Sequence, residues 1–544
     1  MNTRQLQTDK NQKLYHALLG ILLVCALAMM MLLSYWACKY SYYGAVDGRT
    51  RGVLVGDKTW AHIAVFLAAS LCTMGIDKVL MKKDKSQQEK ICLCTLIVTS
   101  VIAFILGVFY VCKNPYYPVG DQINTTAFAA YCRDGNFSML SIGGYVGMYQ
   151  QQKGLAILYE ILFTLFGDFN YRPAKILHVV WWILTILAGY GFLKLNTDRP
   201  VFRMLYCVMM LGCFPLLFYL PYIYGDVLSI SFGIILFYGV AAYEHSGQKR
   251  YIALASFAAG LAVLARKNTW IVLVAVAVYV LLVSLRKKKV RYLMAGTAIL
   301  LTAALSVKAV DVIYEVRSGY PSGVGVPSIL WVAMGLQETE GRAGVYNRYQ
   351  QATFTDYDCQ QELAAQQGKK YIRERLEEFS QDPGMAFDFF KNKLEGQWIE
   401  PMYAALESTE SFEEGAELSP VLESLYYGEL GRTIWKLTNY YQSILYLAGL
   451  MALVMLGNLW WKKKEVPISL WLPWIAVFGG FLFSILWEAK SRYVFPYCVF
   501  MILYAPEGLY QTGLLLCKLP KLRKFKKSGH TQDKGEEASL RETA

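Results

Sequence analysis

A helix that crosses a bilayer needs about 20 consecutive apolar residues, because the hydrocarbon core is roughly 30 Å thick and each helical residue rises about 1.5 Å. This chain repeats such runs along most of its length, residues 91–111 and 268–285 among them. The runs predict about twelve spanning helices, at 18–37, 59–80, 91–112, 174–193, 202–220, 227–243, 251–265, 268–285, 291–309, 435–459, 467–487 and 493–516. The expected fold class is therefore an all-α polytopic membrane protein. The first run is too long for the core of a signal peptide and lacks a small-residue cleavage site, so it is expected to stay as a signal anchor.

Composition and charge agree. Only 17% of the 544 residues are charged and 55% are hydrophobic, against about a quarter charged in a typical soluble domain. The net charge of +13 does not point to nucleic acid, because the basic residues form short clusters between apolar runs: Lys82, Lys83 and Lys85; residues 286–289; 462–464; and 518–527. Cytoplasmic loops look like this, and no aromatic-basic recognition motif accompanies them. The twelve cysteines show no zinc or redox spacing, and the five histidines offer no pair at helical ligand spacing.

Parity orders the loops. With Arg4, Lys10 and Lys13 placing the N-terminus in the cytoplasm, the basic loops at 82–90, 194–203, 244–250, 286–291, 462–465 and 518–527 all fall inside, and the C-terminus with them. Two long polar regions, 113–172 and 310–432, then fall outside. This assignment requires the short apolar stretch 154–166 to lie on or dip into the outer interface instead of crossing. The expected organisation is a cytoplasmic tail and two extra transmembrane helices over 1–90, a transmembrane core over 91–309 with the outer loop 113–172, and an extracytoplasmic segment over 310–434. C-terminal transmembrane helices over 435–517 and a basic, disordered cytoplasmic tail over 518–544 complete it. The segment 310–432 carries about twice as many Asp and Glu as Lys and Arg. Within it, 359–379 and 384–398 read as amphipathic helices joined by the turn Asp382-Pro383-Gly384.

The chemistry gathers at the outer face. Asn114-Pro115-Tyr116-Tyr117-Pro118-Val119-Gly120-Asp121-Gln122 follows a spanning helix, and its prolines and glycine set a turn with an acid at the apex. A second acid ends Pro221-Tyr222-Ile223-Tyr224-Gly225-Asp226. Each aspartate reads equally as a helix N-cap or as a catalytic group, one acting as general base and the other orienting a hydroxyl or holding a cation. Arg266-Lys267-Asn268 interrupts an apolar hairpin, and Glu488-Ala489-Lys490-Ser491-Arg492-Tyr493 separates the last two helices. Charges at such depth usually line a polar cavity, and arginine binds phosphate through paired hydrogen bonds. The aromatic stretch 327–336 reads as a wall of a lipid or sugar groove or as packing on the outer ends of the helices.

The order of these features resembles the bacterial C-type (GT-C) membrane glycosyltransferases of the protein-mannosyltransferase and aminoarabinose-transferase superfamily. A spanning helix leads to an outer acidic loop with two juxtamembrane helices, and later a second acid heads a helix, over most of 91–309. The resemblance implies inverting transfer of a sugar from a polyprenyl-phosphate carrier to a glycan, lipid or polymer acceptor of the cell envelope, on the extracytoplasmic face of the cell membrane. It implies Asp121 and Asp226 as the catalytic acids, and Arg266, Lys267 and Arg492 as holders of the phosphate leaving group. Gln122, Glu488, Lys490 and Tyr493 join the expected substrate-binding set. A divalent cation is the one cofactor the pattern leaves open, with Asp121 and Asp226 as its ligands. Two rival readings remain at this stage: a lipid-linked oligosaccharide transporter or flippase, and a surface-polysaccharide ligase or polymerase.

Overall fold

The computed structural model describes residues 3–43, 53–287, 289–464 and 466–518; the expected tail after Lys518 lies outside them. The described chain is almost wholly helical, with two short two-stranded ribbons, Tyr40–Tyr43 with Val53–Gly56 and Glu338–Thr339 with Arg342–Ala343. Among the described residues, nine helices are long and apolar enough to cross a membrane: Asn11–Lys39, Thr59–Leu80, Lys85–Lys113, Arg172–Asn196, Asp226–Ser246, Lys267–Lys287, Val290–Ser318, Glu429–Trp461 and Ile468–Leu486. The chain is an all-α polytopic membrane protein.

The other three expected spans, 202–220, 251–265 and 493–516, fall short as single helices. The first breaks at Gly212 and Cys213 into Pro200–Leu211 and Phe214–Phe218, where Pro215 cannot continue the ladder. The second, Lys249–Ala265, has 17 residues. The third divides at a turn over 502–504 whose backbone N–H groups reach back three residues, Ile502 to Val499 at 3.1 Å and Tyr504 to Met501 at 3.0 Å. All three pieces are packed among other helices, the condition under which irregular backbone is tolerated at membrane depth.

Asp226–Ser246 is the central helix, 83% buried against 28% for the peripheral Lys85–Lys113 and Val290–Ser318. Small residues let its neighbours approach, as expected where helices pack without water to drive them together. A Cβ on Gly239 would sit 3.0 Å from the Ala255 methyl, and one on Gly191 of the adjoining helix 2.8 Å from the Tyr238 ring. The peripheral helices turn Leu93, Ile97, Val101, Ile105 and Phe109 outward, each at least half exposed. So large an apolar belt calls for lipid, not water.

The loop 113–172 carries the helices Asp121–Arg133 and Lys153–Phe166. At 14 residues the second is too short to span. It buries Leu155, Ala156, Tyr159 and Phe163 and leaves Ile161, Leu165 and Phe166 exposed, the two apolar faces of a helix lying in the interface. In the later segment, Gln361–Gln381 and Pro383–Trp398 meet at Asp382, whose carboxylate accepts from the Met385 N–H at 2.9 Å as an N-cap.

The closest backbone approach tests this packing. A Cβ on Gly508 would lie 1.8 Å from the Ala448 carbonyl oxygen, whereas one on Gly75 meets nothing within 4 Å. Gly508→Ala is expected to lower stability by about 1–3 kcal/mol or more, read as a fall in the melting temperature of the detergent-purified chain. Gly75→Ala is expected to leave it unchanged or slightly raised.

Candidate functional site

Two backbone turns place the two aspartates. Gly120 lies at φ +58°, ψ −125°, a conformation closed to side-chain-bearing residues, and Asp121 opens the following helix. Gly225 precedes Asp226 in the same way, and a Cβ there would come within 2.0 Å of the Ala265 carbonyl oxygen. The glycines occupy both N-cap positions, so each aspartate is the first residue of its helix and not its cap. Capping therefore does not account for them.

The Asp226 carboxylate is buried and faces two guanidinium groups. Arg266 Nη1 donates to its Oδ2 at 3.2 Å, and Arg492 Nε stands 3.9 Å from its Oδ1. That separation exceeds hydrogen-bond reach, so the buried Arg492 Nε has no hydrogen-bond partner. Arg492 instead bonds the Tyr222 hydroxyl and lies over the rings of Tyr222, Tyr224 and Tyr493 at 5.2, 5.4 and 5.5 Å. Arg266 lies over Tyr224 at 4.8 Å and Tyr493 at 5.6 Å. Aromatic faces hold guanidinium groups in low dielectric without neutralising them. Two fixed cations face one carboxylate, leaving an excess of positive charge with an unsatisfied donor.

A cavity of about 100 Å³ opens on these groups, lined by Gln152, Tyr224, Arg266, Lys267, Arg492 and Tyr493 together with Trp331 and Trp487. Lys267, Ser328 and Gln151 also border an adjoining groove of about 280 Å³, whose wall includes Val263, Leu264, Trp270, Val307 and Val310. The cationic cup thus continues into a groove with one apolar wall from the helix ends and, opposite, polar residues that include Gln150 and Lys153, the latter paired with Asp311.

Asp121 is exposed at the rim, its Oδ1 accepting from the Tyr145 hydroxyl at 2.8 Å. Its charge acts on Tyr224, Tyr493 and Glu488, and Tyr224 and Tyr493 are the rings that hold Arg266. Asp121, Asp226, Arg266, Arg492, Glu488 and Tyr493 therefore share one region. Lys490 extends it, its ammonium acting on Asp226, Glu488 and Glu407. Lys267 donates to Ser328 Oγ at 3.5 Å at the mouth of the groove. Gln122 does not join them. It is buried, takes a hydrogen bond from the Tyr116 hydroxyl, and so braces the turn instead of walling a substrate pocket. No three His, Cys, Asp or Glu side chains among the described residues are grouped to hold a metal ion; the charge facing Asp226 is supplied by arginines.

Of the aromatic partners, the sequence pointed to Tyr493 and, through the stretch 327–336, to a wall that contains Trp331, but not to the rest. Tyr145, Tyr222, Tyr224, Gln152, Trp331 and Trp487 complete the site. Tyr222 and Tyr224 sit within the motif that ends at Asp226, and their alternation was the available signal.

Glu488 gives the site a pH signature. Burial, and then the nearby charge of Asp121, push its carboxyl up to about 7, against the pull of Lys490, Tyr493 and Arg266. Burial likewise pushes Glu400 up to about 7. Between the ordinary value near 4.5 and about 7 the folded chain holds protons that the unfolded chain has released, so stability falls as pH rises through that window and is level on either side. Glu488→Gln is expected to flatten the decline by an amount on the order of 1–3 kcal/mol, and Glu400→Gln/Glu488→Gln to flatten it further. Melting temperature measured from pH 4.5 to 8 checks both. Set against protein-family models, curated proteins and solved structures, the chain matches none.

Proposed function

We propose that this protein transfers a sugar from a polyprenyl-phosphate carrier to a cell-envelope acceptor, with inversion at the anomeric carbon, on the extracytoplasmic side of the membrane. One observation carries the reading: a buried cationic cup with an unpartnered Arg492 donor adjoins a groove with an apolar wall at the ends of three helices. A lipid phosphate has those two parts in that order. The isoprenoid chain suits Val263, Leu264, Val307 and Val310, and the phosphate suits Arg266, Arg492 and Lys267.

The roles follow from charge. An acceptor hydroxyl oxygen attacks the anomeric carbon while the bond from that carbon to the phosphate oxygen breaks. The bonding electrons leave with the carrier phosphate, and the guanidinium groups stabilise the growing charge without supplying a proton. Asp121, at the rim and reached by solvent, takes the proton from the acceptor hydroxyl. Asp226 stays paired with the arginines and fixes their positions. The twelve-crossing arrangement belongs to the same proposal. With the three packed, shortened helices counted as crossings, both termini and the basic loops lie in the cytoplasm.

Asp121→Asn is expected to lower transfer by about 10²–10⁴-fold with unchanged affinity for undecaprenyl phosphate. Arg492→Met is expected to weaken binding of that lipid. The assay uses detergent-purified chain, undecaprenyl-phosphate hexoses and a cell-envelope extract as acceptor, with released undecaprenyl phosphate measured by mass spectrometry. Full activity in Asp121→Asn would remove it as the base. Transfer only from a carrier-linked oligosaccharide would make the protein a polymerase or ligase, and no transfer without a second compartment would make it a transporter.

A further inference from the structure

We infer that Trp331 and Trp487 form the floor on which the donor's sugar ring rests, and that this sugar is a pyranose without an anionic group. The inference rests on the lipid-phosphate reading above and names the part of the substrate that reading leaves open.

The two indoles come from distant parts of the chain. Trp331 stands on the short helix Ile329–Gly335 of the outer segment, and Trp487 begins the break between the last helices. Their planes lie 3° apart with ring centroids 5.9 Å apart, an offset stack that leaves part of each ring uncovered. Both are only partly buried, and both border the cavity that holds Arg266 and Arg492. The pair therefore presents parallel aromatic surface beside the anion site, where the group esterified to a bound phosphate must lie.

The surface is held rigidly. Phe483 stacks on Trp487 at 4.9 Å, and Tyr149 meets Trp331 edge-on at 6.1 Å. Gly335 abuts the last helical turn before the break so closely that a Cβ would be 2.3 Å from the Leu486 carbonyl oxygen. The Ala489 N–H donates to the Gly344 carbonyl at 2.7 Å. A pyranose offers its C–H face to such a floor, burying apolar area against a preformed ring at little entropic cost.

The remaining walls set the charge. Glu488 accepts from the Tyr493 hydroxyl of the cavity wall at 3.3 Å, the charge of Asp121 acts on Tyr224 and Tyr493, and the carrier phosphate occupies the guanidinium groups. A uronic acid or phosphorylated sugar would bring a further anion against these carboxylates, and Lys490, the further cation nearby, already acts on Asp226, Glu488 and Glu407.

The test compares three probes on the full-length detergent-purified chain: undecaprenyl phosphate, undecaprenyl-phosphate glucose and undecaprenyl-phosphate glucuronic acid. Wild type is expected to bind the glucosyl lipid roughly tenfold or more tighter than either of the others. Trp331→Ala and Trp487→Ala should erase that preference and leave the bare lipid phosphate within about twofold, while Trp331→Phe and Trp487→Phe keep most of it. Equal binding of the glucosyl and bare lipids by wild type, a preference for the glucuronosyl lipid, or an undiminished preference in both alanine variants would overturn the sugar floor and leave the phosphate site standing. Wild type that binds none of the three would overturn both.

Discussion

A carboxylate buried between two arginines organises one end of this helix bundle. Charges removed from water lose several kcal/mol of solvation each, and their attraction recovers that loss only when geometry and further hydrogen bonds are favourable. Asp226 meets Arg266 closely and Arg492 loosely, so the balance falls to the tyrosines. Tyr222, Tyr224 and Tyr493 surround the guanidinium groups with aromatic faces and one hydroxyl bond. This shelter lets a surplus cation persist in an apolar setting without a permanent counter-ion.

The irregular backbone nearby serves that cluster. Helix Lys249–Ala265 ends so that Arg266 can turn inward, and the 3₁₀ turn Lys267–Thr269 carries the chain onward. The approach of Gly225 to the Ala265 carbonyl brings Asp226 under that turn. The break at 487–490 supplies Arg492 from a third direction, tied to the outer segment through Gly344 and Gly335. Three interruptions of regular helix converge on one place. Backbone that gives up helical hydrogen bonds at membrane depth ordinarily lines a polar cavity, and here it does.

Sequence patterning made much of this legible, for a physical reason. A charge inside an apolar run is costly enough to stand out, so Asp226, Arg266, Glu488 and Arg492 could be found by eye. The amphipathic Lys153–Phe166 helix was readable because fourteen residues cannot span. The aromatic shell was not readable, because Tyr and Trp also populate ordinary interfacial belts and only tertiary contact separates the two uses. Gln122 shows the limit of a neighbour's position: Asp121 is exposed and bonded to Tyr145, but one step along a helix turns a side chain by about 100°, inward to Tyr116. Three of the twelve expected spans are short or broken where helices are enclosed by others, since enclosure permits breaks at Pro215 and at 502–504 that lipid would not.

The two N-terminal helices, which no motif explained, acquire a role through the Glu429–Trp461 helix. Gly20 lies against Trp460, and Gly449 lies against Met30. His62 Nδ1 is 2.8 Å from Ser443 Oγ, and Asn439 donates to Asp57 at 2.9 Å. On the same helix, Gln442 donates to the Trp398 carbonyl at 3.1 Å and the Tyr446 hydroxyl does so at 2.5 Å. Those bonds pin the end of Pro383–Trp398, while Lys393, one turn earlier, holds the Gly335 carbonyl at 2.5 Å. Gly335 in turn fixes the helix bearing Trp331 against Trp487. The N-terminal pair braces a helix whose other contacts determine where the outer segment sits over the cavity. Its contribution is positional, transmitted through packed elements with no side chain of its own at the site.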